Sequence, residues 1–291
     1  MSGKPVIAIT VGDPAGIGPE IVKKSVSDKS VLEICTPRVI GSCSGFIPSQ
    51  PSPASNKAAT IFLQEAVVLL KKKTADALVT APAPKSCFGN LGGHTEYLAK
   101  ITHTKHVEML MIAGDLRVLL LTRHIPLSSV GRHLSTKKIV EAAEFAGSYI
   151  KKNFLKNSRA PRIAICGLNP HLSDGGLAGS EENKIIIPAI KVLKEKGIDA
   201  NGLFLAEKVF GTGRENFDLI MCMYHDQGMI PLKLLVPSRI VNLTIGLPFI
   251  RTSPGHGTAY DIAGQGKADP RPMIEAIKLA CLLTIKSNKV K

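Results

Sequence analysis

Val6-Ile7-Ala8-Ile9-Thr10-Val11 is an unbroken apolar, β-branched run, followed at once by Gly12-Asp13-Pro14-Ala15-Gly16-Ile17-Gly18-Pro19-Glu20. The run has the length and composition of a buried strand. The glycines and Pro14 turn the chain. Pro19 then opens a helix, since its ring presets φ and its missing N–H is not needed in the first turn. Strand, tight turn and helix in succession are the opening of an α/β fold. The same stretch excludes one branch of that class. Pro14 interrupts where the dinucleotide fingerprint G-x-G-x-x-G needs backbone freedom, and no acidic residue ends a following strand at the expected distance. The chain reads as α/β but not as a Rossmann fold.

Outward from this stretch, short apolar runs alternate with longer segments of helical period, as an α/β architecture requires. The pattern predicts a helix over 56–72, a buried strand over 77–81 and a helix starting at His94-Thr95-Glu96. Strands over 108–112 and 116–122 flank an Ala-Gly-Asp turn, and 135–154 is a long amphipathic helix capped by Ser135. Next come a strand over 162–168, a helix from about Ser180-Glu181-Glu182 to Gly197, and a strand over 218–223. A short helical piece bearing Lys233, a strand over 240–245 and a terminal helix over 269–286 complete the chain. The Ser/Pro/Gly-rich stretch 42–56 is a loop or linker, too short to separate independent domains.

A chain of 291 residues can form one large α/β domain or two smaller ones. No apolar stretch is long enough for a membrane span. Met1-Ser2-Gly3-Lys4-Pro5 leads straight into a strand without a signal-peptide pattern, so the expected compartment is cytoplasmic, with no membrane partner. The six cysteines form no C-x-x-C pair, which fits a reduced protein rather than a disulfide framework or a zinc knuckle. Cys166 and Cys222 fall inside strands, where a thiol behaves as a small hydrophobe. The net charge of +14 suits either nucleic acid or small anions. The lysines, however, are dispersed, at 71–73, 137–138, 151–152 and through the 286–291 tail, and aromatic residues make up only 4% with no Trp. That is poor material for stacking bases. A phosphorylated substrate drawn in by positive charge uses these residues better, and no nucleic-acid partner is expected.

Three histidines directly follow buried-strand runs: His124 after 116–122, His171 after 162–168 and His225 after 218–224. Strands that end at one edge of an open α/β sheet deliver their terminal residues to a common crevice. Three imidazoles delivered in this way can hold a divalent metal with open positions for substrate. The alternative for each is a loop histidine bonded to backbone or water. Asp226, beside His225, can orient a metal ligand or accept a proton. Asn169-Pro170-His171, Gly175-Gly176 and Gly179-Ser180-Glu181-Glu182 form a glycine-rich loop running to a helix N-terminus, which can receive an anion or be a plain flexible loop. Lys233, Asn242 and Arg251 can converge on a phosphate or carboxylate, or each can be a surface residue. Gly255-His256-Gly257-Thr258-Ala259 and Asp261-Ile262-Ala263-Gly264-Gln265-Gly266 are dense in glycine, so backbone approaches something closely there; a nucleotide is one candidate.

In combination, these stretches resemble the 4-hydroxythreonine-4-phosphate dehydrogenase family of pyridoxal-phosphate biosynthesis over nearly the whole chain. The matching segments, in order, are Ile9 through Glu20, Gly93-His94-Thr95-Glu96, Leu168-Asn169-Pro170-His171, Met223-Tyr224-His225-Asp226-Gln227-Gly228 and Asn242 through Ser253. The His256-Gly257-Thr258-Ala259 stretch with its Asp261 sequel is similar to the adenosine-side loop of the wider isocitrate and isopropylmalate dehydrogenase group. The resemblance implies that group's fold: two α/β domains with a central cleft, a homodimer, and NAD (or NADP) bound without a Rossmann fingerprint. It implies a first domain, the cofactor side, from 1–90 with 246–291, and a second, bearing the metal site and dimer interface, from 91–245.

Carried over residue by residue, His124, His171 and His225 match the family's three metal ligands, which come from both subunits. His94 and Thr95 match substrate contacts, and Lys233, Asn242 and Arg251 the group that holds substrate phosphate and carboxylate. Asp226 matches an acidic residue near the reacting centre. His256, Gly257, Thr258, Ala259 and Asp261 match the cofactor loop. The implied reaction is oxidation of 4-phosphooxy-L-threonine with hydride transfer to the nicotinamide and loss of CO2. One divalent ion (zinc, cobalt, magnesium or manganese) serves as Lewis acid.

The chain departs from the family in three places. Glu207 stands where the family carries an acidic residue one methylene shorter, and Gly255 replaces a carboxylate beside the cofactor loop. The segment around 40–60 is also short. Related substrates (threonate or erythronate 4-phosphate) and a non-catalytic ligand-binding relative are the rival readings.

Overall fold

The structure, a computed structural model, describes residues 3–156 and 159–289. Met1 and Ser2 of the leader reading and the last two residues of the basic tail lie outside it. In chain order the elements are β1 (Val6–Thr10), α1 (Gly18–Val26), α2 (Lys29–Leu32), β2 (Thr36–Ile40), α3 (Pro53–Lys71), β3 (Ala77–Thr80) and α4 (His94–Ile101). They continue with β4 (Glu108–Ala113), β5 (Leu116–Leu120), α5 (Thr136–Asn153), β6 (Ile163–Cys166), α6 (Ile187–Glu195), β7 (Ala200–Phe204) and α7 (Ala206–Lys208). The last are β8 (Leu219–Cys222), α8 (His225–Leu235), β9 (Val241–Ile245), β10 (Ile250–Pro254) and α9 (Arg271–Lys289).

Two compact units are present, one of residues 1–107 with 238–291 and one of 108–237. The sequence reading drew its borders at 90/91 and 245/246. Packing accounts for the difference. Leu98 of α4 is fully buried in one apolar cluster with Leu63, Leu78 and Phe88, so α4 stays with the first unit. β9 pairs antiparallel with β10, Arg251 opposite Thr244, and stays there too.

In the first unit the strands run in the order β2-β1-β3-β10-β9. β1, β2, β3 and β10 are parallel, with α3 packed on β1 and α9 on β10 and β3. Ser52 and Ser55 cap α3 reciprocally, so the helix starts at Pro53, inside the stretch read as a loop from 42 to 56. In the second unit the order is β4-β5-β8-β6-β7. β4 and β5 form an antiparallel hairpin, and β5, β8, β6 and β7 are parallel. Ser135 caps α5 as its sequence predicts, accepting from Lys138 N at 3.2 Å.

Three strands, β2, β7 and β10, were not read from sequence. β2 is an edge strand exposed over most of its length and β7 carries Gly202, so neither shows an apolar run. β10 is buried but contains Arg251 and ends in Pro254, which disguise it. No helix among the described residues is long and apolar enough to cross a membrane.

Candidate active site

In the second unit, β5, β8 and β6 are sheet neighbours and parallel, with Leu120 beside Cys222 and Ile165 beside Met221. Their C-terminal ends therefore share one edge, and each releases a chain segment that carries one of the three histidines. Specific bonds tie the ends together. Leu121 N donates to Cys222 O at 2.9 Å, and the N–H and hydroxyl of Thr122 both donate to Met223 O, at 3.2 and 2.6 Å. Gln227 bridges the other gap. Its Oε1 accepts from Met223 N at 2.7 Å and its Nε2 donates to Gly167 O at 2.6 Å.

His124 and His225 stand side by side, ring centroids 5.8 Å apart. His225 is the first residue of α8, and its Nδ1 lies 2.6 Å from Asp226 Oδ1. A carboxylate can only accept, so Nδ1 is the donor and the lone pair stays on Nε2. His171 opens a run of left-handed residues, His171 to Gly175, with φ between 44° and 66°. Four of these are not glycine, and each is held there at a cost of roughly 1–2 kcal/mol. His171, Glu207 and Asp226 line one cavity of about 570 Å³, walled by apolar groups such as Phe204, Phe210 and Ile230. Lys233, in the last turn of α8, is exposed and outside that cavity.

The donors suit a divalent ion: three imidazoles from adjacent strand ends, one of them backed by a carboxylate. Among the described residues, however, no three His, Cys, Asp or Glu side chains stand close enough to hold one. Within this chain the pair His124–His225 is assembled and the full triad is not. The left-handed turn carries His171 along its own path.

The glycine-rich loop that follows is not an open anion site. The carboxylates at the start of the next helix are the chain's own. Glu182 is fully buried and accepts from Leu168 N, Asn169 N and Asn169 Nδ2 at 2.7–2.9 Å. Glu181 accepts from Asn169 Nδ2 and Ser180 N at 2.9 and 3.0 Å. Burial opposes ionisation of Glu182 most strongly, yet the Asn169 and Leu168 bonds together hold its carboxyl below the usual glutamate range. The predicted helix accordingly begins with a π-helical turn, Glu182–Ile186, before α6. Glu182 and Gln227 were missed as site residues; Gln227 is visible in Met223-Tyr224-His225-Asp226-Gln227, but nothing local marks Glu182 as the anchor of Leu168 and Asn169, 14 and 13 residues back.

In the first unit, Arg251 of β10 is 2% exposed. Its Nη1 donates to Thr244 Oγ1 of β9 at 2.9 Å and its Nη2 to Thr80 Oγ1 of β3 at 2.6 Å, while its buried Nε has no partner. Burial lowers the guanidinium to about 10, against an opposing pull from Glu96, so it is charged at neutral pH. Thr95 Oγ1 lies 3.3 Å from Thr244 Oγ1. Half-buried His94 packs on Phe88, centroids 4.6 Å apart, and burial, then the Arg251 charge, push its imidazole well below the usual range. Asn242 of β9 has a buried Oδ1 without a partner. A fixed cation with an unspent donor and a neutral imidazole beside it are matched to an anion, while the unspent amide oxygen of Asn242 calls for a donor on the same ligand.

Beside these, the loop 255–261 packs on the opening turn of the chain. Ile17 N donates to Thr258 O at 3.0 Å, and Tyr260 OH donates to Asp13 Oδ2 at 2.6 Å, with Asp13 fully buried. Tyr260's hydroxyl is raised above the usual tyrosine range by burial and by Asp13. The close approach foreseen from glycine density is thus met in part by protein. A Cβ at Gly16 would stand 3.0 Å from Thr258 O. A Cβ at Gly255 would stand 2.9–3.2 Å from Ile240. Ala259 is left-handed, φ 41°, and Gly257 and Asp261 are exposed, while His256 is half-buried.

With this geometry in place, known proteins can be compared. Residues 13–280 match the family model described as pyridoxal phosphate biosynthetic protein PdxA. The chain is 38% identical to a 4-hydroxythreonine-4-phosphate dehydrogenase of Desulforapulum autotrophicum, covering 96% of this chain and 95% of that one. It is 37% identical to a D-threonate 4-phosphate dehydrogenase of Cupriavidus necator, covering 94% and 96%. Among solved structures, the 4-hydroxythreonine-4-phosphate dehydrogenase of Klebsiella pneumoniae superposes with a TM-score of 0.81 at 31% identity, covering 97% of this chain and 99% of that one. The isocitrate dehydrogenase of Methylococcus capsulatus shares the fold, with a TM-score of 0.54 at 15% identity over 95% of this chain and 84% of that one. The match over most of the chain, on an isocitrate dehydrogenase-like α/β fold, shows that the chain belongs to the PdxA family of pyridoxal phosphate biosynthetic proteins.

Proposed function

We propose that this oxidoreductase oxidises 4-phosphooxy-L-threonine at its secondary hydroxyl and that the resulting 3-oxo acid loses CO2, giving an amino-ketone phosphate for pyridoxal 5'-phosphate synthesis. The observation that carries the reading is the delivery of His124, His225 and His171 by three adjacent parallel strands, with Asp226 behind His225. His124, His171 and His225 are the residues for one divalent ion, with ligands shared across a homodimer as the family resemblance implies. An ion held there would supply Lewis acidity to the reacting hydroxyl, and NAD or NADP would supply the hydride acceptor.

The chain's own residues do the rest. Arg251 presents a positive charge to the substrate's phosphate or carboxylate, with hydrogen bonds from the Asn242 amide N–H and the Thr95 hydroxyl, and Lys233 is a further cation for such an anion. His94, kept neutral by its surroundings, adds a hydrogen bond without a second cation. Asp226 fixes the tautomer of His225, and either Asp226 or Glu207, on the cavity they share with His171, takes the hydroxyl proton as hydride leaves. His256, Gly257, Thr258, Ala259 and Asp261 receive the adenosine side of the cofactor.

The test is NADH formation from chelator-stripped protein and 4-phosphooxy-L-threonine, with and without added divalent ion. Metal-dependent turnover that disappears in His171→Ala is the expected result. The named activity of the Cupriavidus necator relative supports a second reading, D-threonate 4-phosphate as substrate. The same assay separates the two, since only one substrate carries an amino group. A chain that binds metal yet turns over neither is a ligand-binding relative.

A further inference from the structure

His171 leaves β6 through Gly167, Leu168 and Asn169 and then enters the left-handed turn. The turn's closures, Ala178 N to Ser173 O and Leu177 N to Asp174 O, lie beyond the histidine. Before His171 the segment is held by Gly167 N on Phe204 O at 2.9 Å, by Gln227 Nε2 on Gly167 O at 2.6 Å and, nearest the ring, by the Glu182 carboxylate. Glu182 Oε1 accepts from the consecutive N–H groups of Leu168 and Asn169 at 2.8 and 2.7 Å, and Oε2 accepts from Asn169 Nδ2 at 2.9 Å. The fit against backbone is close: a Cβ at Gly167 would stand 3.3 Å from Glu182 Oε1 and 2.7 Å from Leu172 Cδ2.

We propose that Glu182 is the positioning residue of the His171 limb, its carboxylate clamping Leu168 and Asn169 so that His171 is presented as a metal ligand. The proposal rests on the metal reading of the histidines. Glu182 acts through the backbone, two residues ahead of the ring, and is not itself a ligand. Its π-helical turn, a feature that recurs at functional sites, begins the helix where this carboxylate is needed.

A carboxylate is required rather than any acceptor. Asn169 Nδ2 is shared by Glu182 Oε2 and Glu181 Oε2, each at 2.9 Å. An amide at 182 would set its NH2 against that of Asn169. Turning Asn169 over to relieve the clash would set its Oδ1 against Glu181. Glu182→Gln therefore keeps the volume and loses the clamp on the side chain.

The experiment is a cobalt(II) titration of the chelator-stripped, full-length protein, read by calorimetry and by the visible absorption of the bound ion. Wild type, His171→Ala, Glu182→Gln and Glu182→Ala are compared, and no turnover is needed. The expected order is tight binding in wild type, about tenfold weaker with an altered spectrum in Glu182→Gln, and about a hundredfold weaker in Glu182→Ala. A purely structural role would lower the melting temperature of the chelated variants while leaving the cobalt spectrum of the folded fraction as in wild type, and that result overturns the proposal. So does unchanged affinity in the Glu182 variants where His171→Ala has lost it. If His171→Ala binds cobalt as wild type does, the metal reading falls first and the positioning role with it. Should Glu182→Ala fail to fold, Glu182→Gln alone decides by the same criteria.

Discussion

The two units place their chemistry-bearing residues in opposite ways. In the first, Arg251, Asn242, His94 and Thr95 lie on regular strands and a helix, and Arg251 is locked by Thr80 and Thr244 within the sheet. In the second, His124 and His171 stand on exposed segments past the strand ends, and only the ties beneath them, Thr122, Gln227 and Glu182, are in the fold proper. A buried or half-buried set is preformed, so in the proposed reading its side chains serve stability and binding together. A set hung from strand ends can be changed with little effect on folding, and its geometry depends on what holds the base of each segment. Substitutions in the two units should therefore separate activity from stability.

The largest effect expected is His225→Ala. Losing an imidazole from a Lewis-acid site forfeits several kcal/mol of charge stabilisation, a drop of about a thousandfold or more in metal-dependent turnover. Stability should change by no more than about 0.5 kcal/mol, as for a surface substitution. A urea melt beside the kinetic assay checks both, and a large stability loss would erase the contrast between the units. Arg251→Lys is the counterpart. A lysine cannot reach both threonines with a planar fork, so KM for the phosphorylated substrate should rise about ten- to a hundredfold. Here the melt should shift as well, because Thr80 and Thr244 lose charged donors.

Gln227→Leu sharpens the comparison from within the second unit. It leaves Met223 N and Gly167 O without their bridge, at about 1–3 kcal/mol, although it touches none of the proposed ligands. If stability holds and only metal affinity falls, Gln227 is a positioning group alone. If neither moves, the strand ends are held by their ladder and the bridge is incidental.

How much was legible follows the same division. Buried strands such as β1, β3, β6 and β8 announce themselves as apolar runs, and the histidines after β5, β6 and β8 were readable as strand-end residues. Their sheet adjacency was not, because chain order β5, β6, β8 becomes sheet order β5-β8-β6 only through long-range pairing. Arg251 was visible as a residue but not as a buried one, since its strand is recognisable only once Thr244 and Thr80 flank it. Glu182 looked like an acidic residue in a helix's first turn. Its role depends on a loop that folds back on it. Charges that serve the site are the ones that local patterns misassign, because burial and partners are supplied by other elements.

Gly255→Asp tests whether the family's missing carboxylate can simply be restored. The side chain would press on Ile240 at 2.9–3.2 Å, so overpacking of about 1–3 kcal/mol is expected rather than improved cofactor binding. Gly255→Asp combined with Ile240→Ala should recover part of the loss non-additively, seen as a higher melting temperature than the two single changes sum to. Additive losses would show that the two positions do not share space.

The smallest effect concerns pH, and it belongs to the first unit. In the folded protein the His94 imidazole is held well below the ordinary histidine value of 6.5, because burial and then Arg251 disfavour the imidazolium. Well above 6.5 the ring is neutral in folded and unfolded chains alike and contributes no pH dependence. As pH falls below that value, the unfolded chain binds a proton that the folded one refuses, and stability falls by up to about 1.4 kcal/mol per pH unit until the folded ring titrates in turn. Carboxylates add their own losses in acid, so the comparison must be with His94→Asn, which keeps them and removes the imidazole. Urea midpoints for both chains at a series of pH values should differ by a constant amount above neutrality and converge, or cross in favour of the variant, as the medium is acidified. Parallel curves throughout would mean that His94 is as open to solvent as the second unit's histidines, and the distinction between a preformed site and a suspended one would lose its clearest chemical sign.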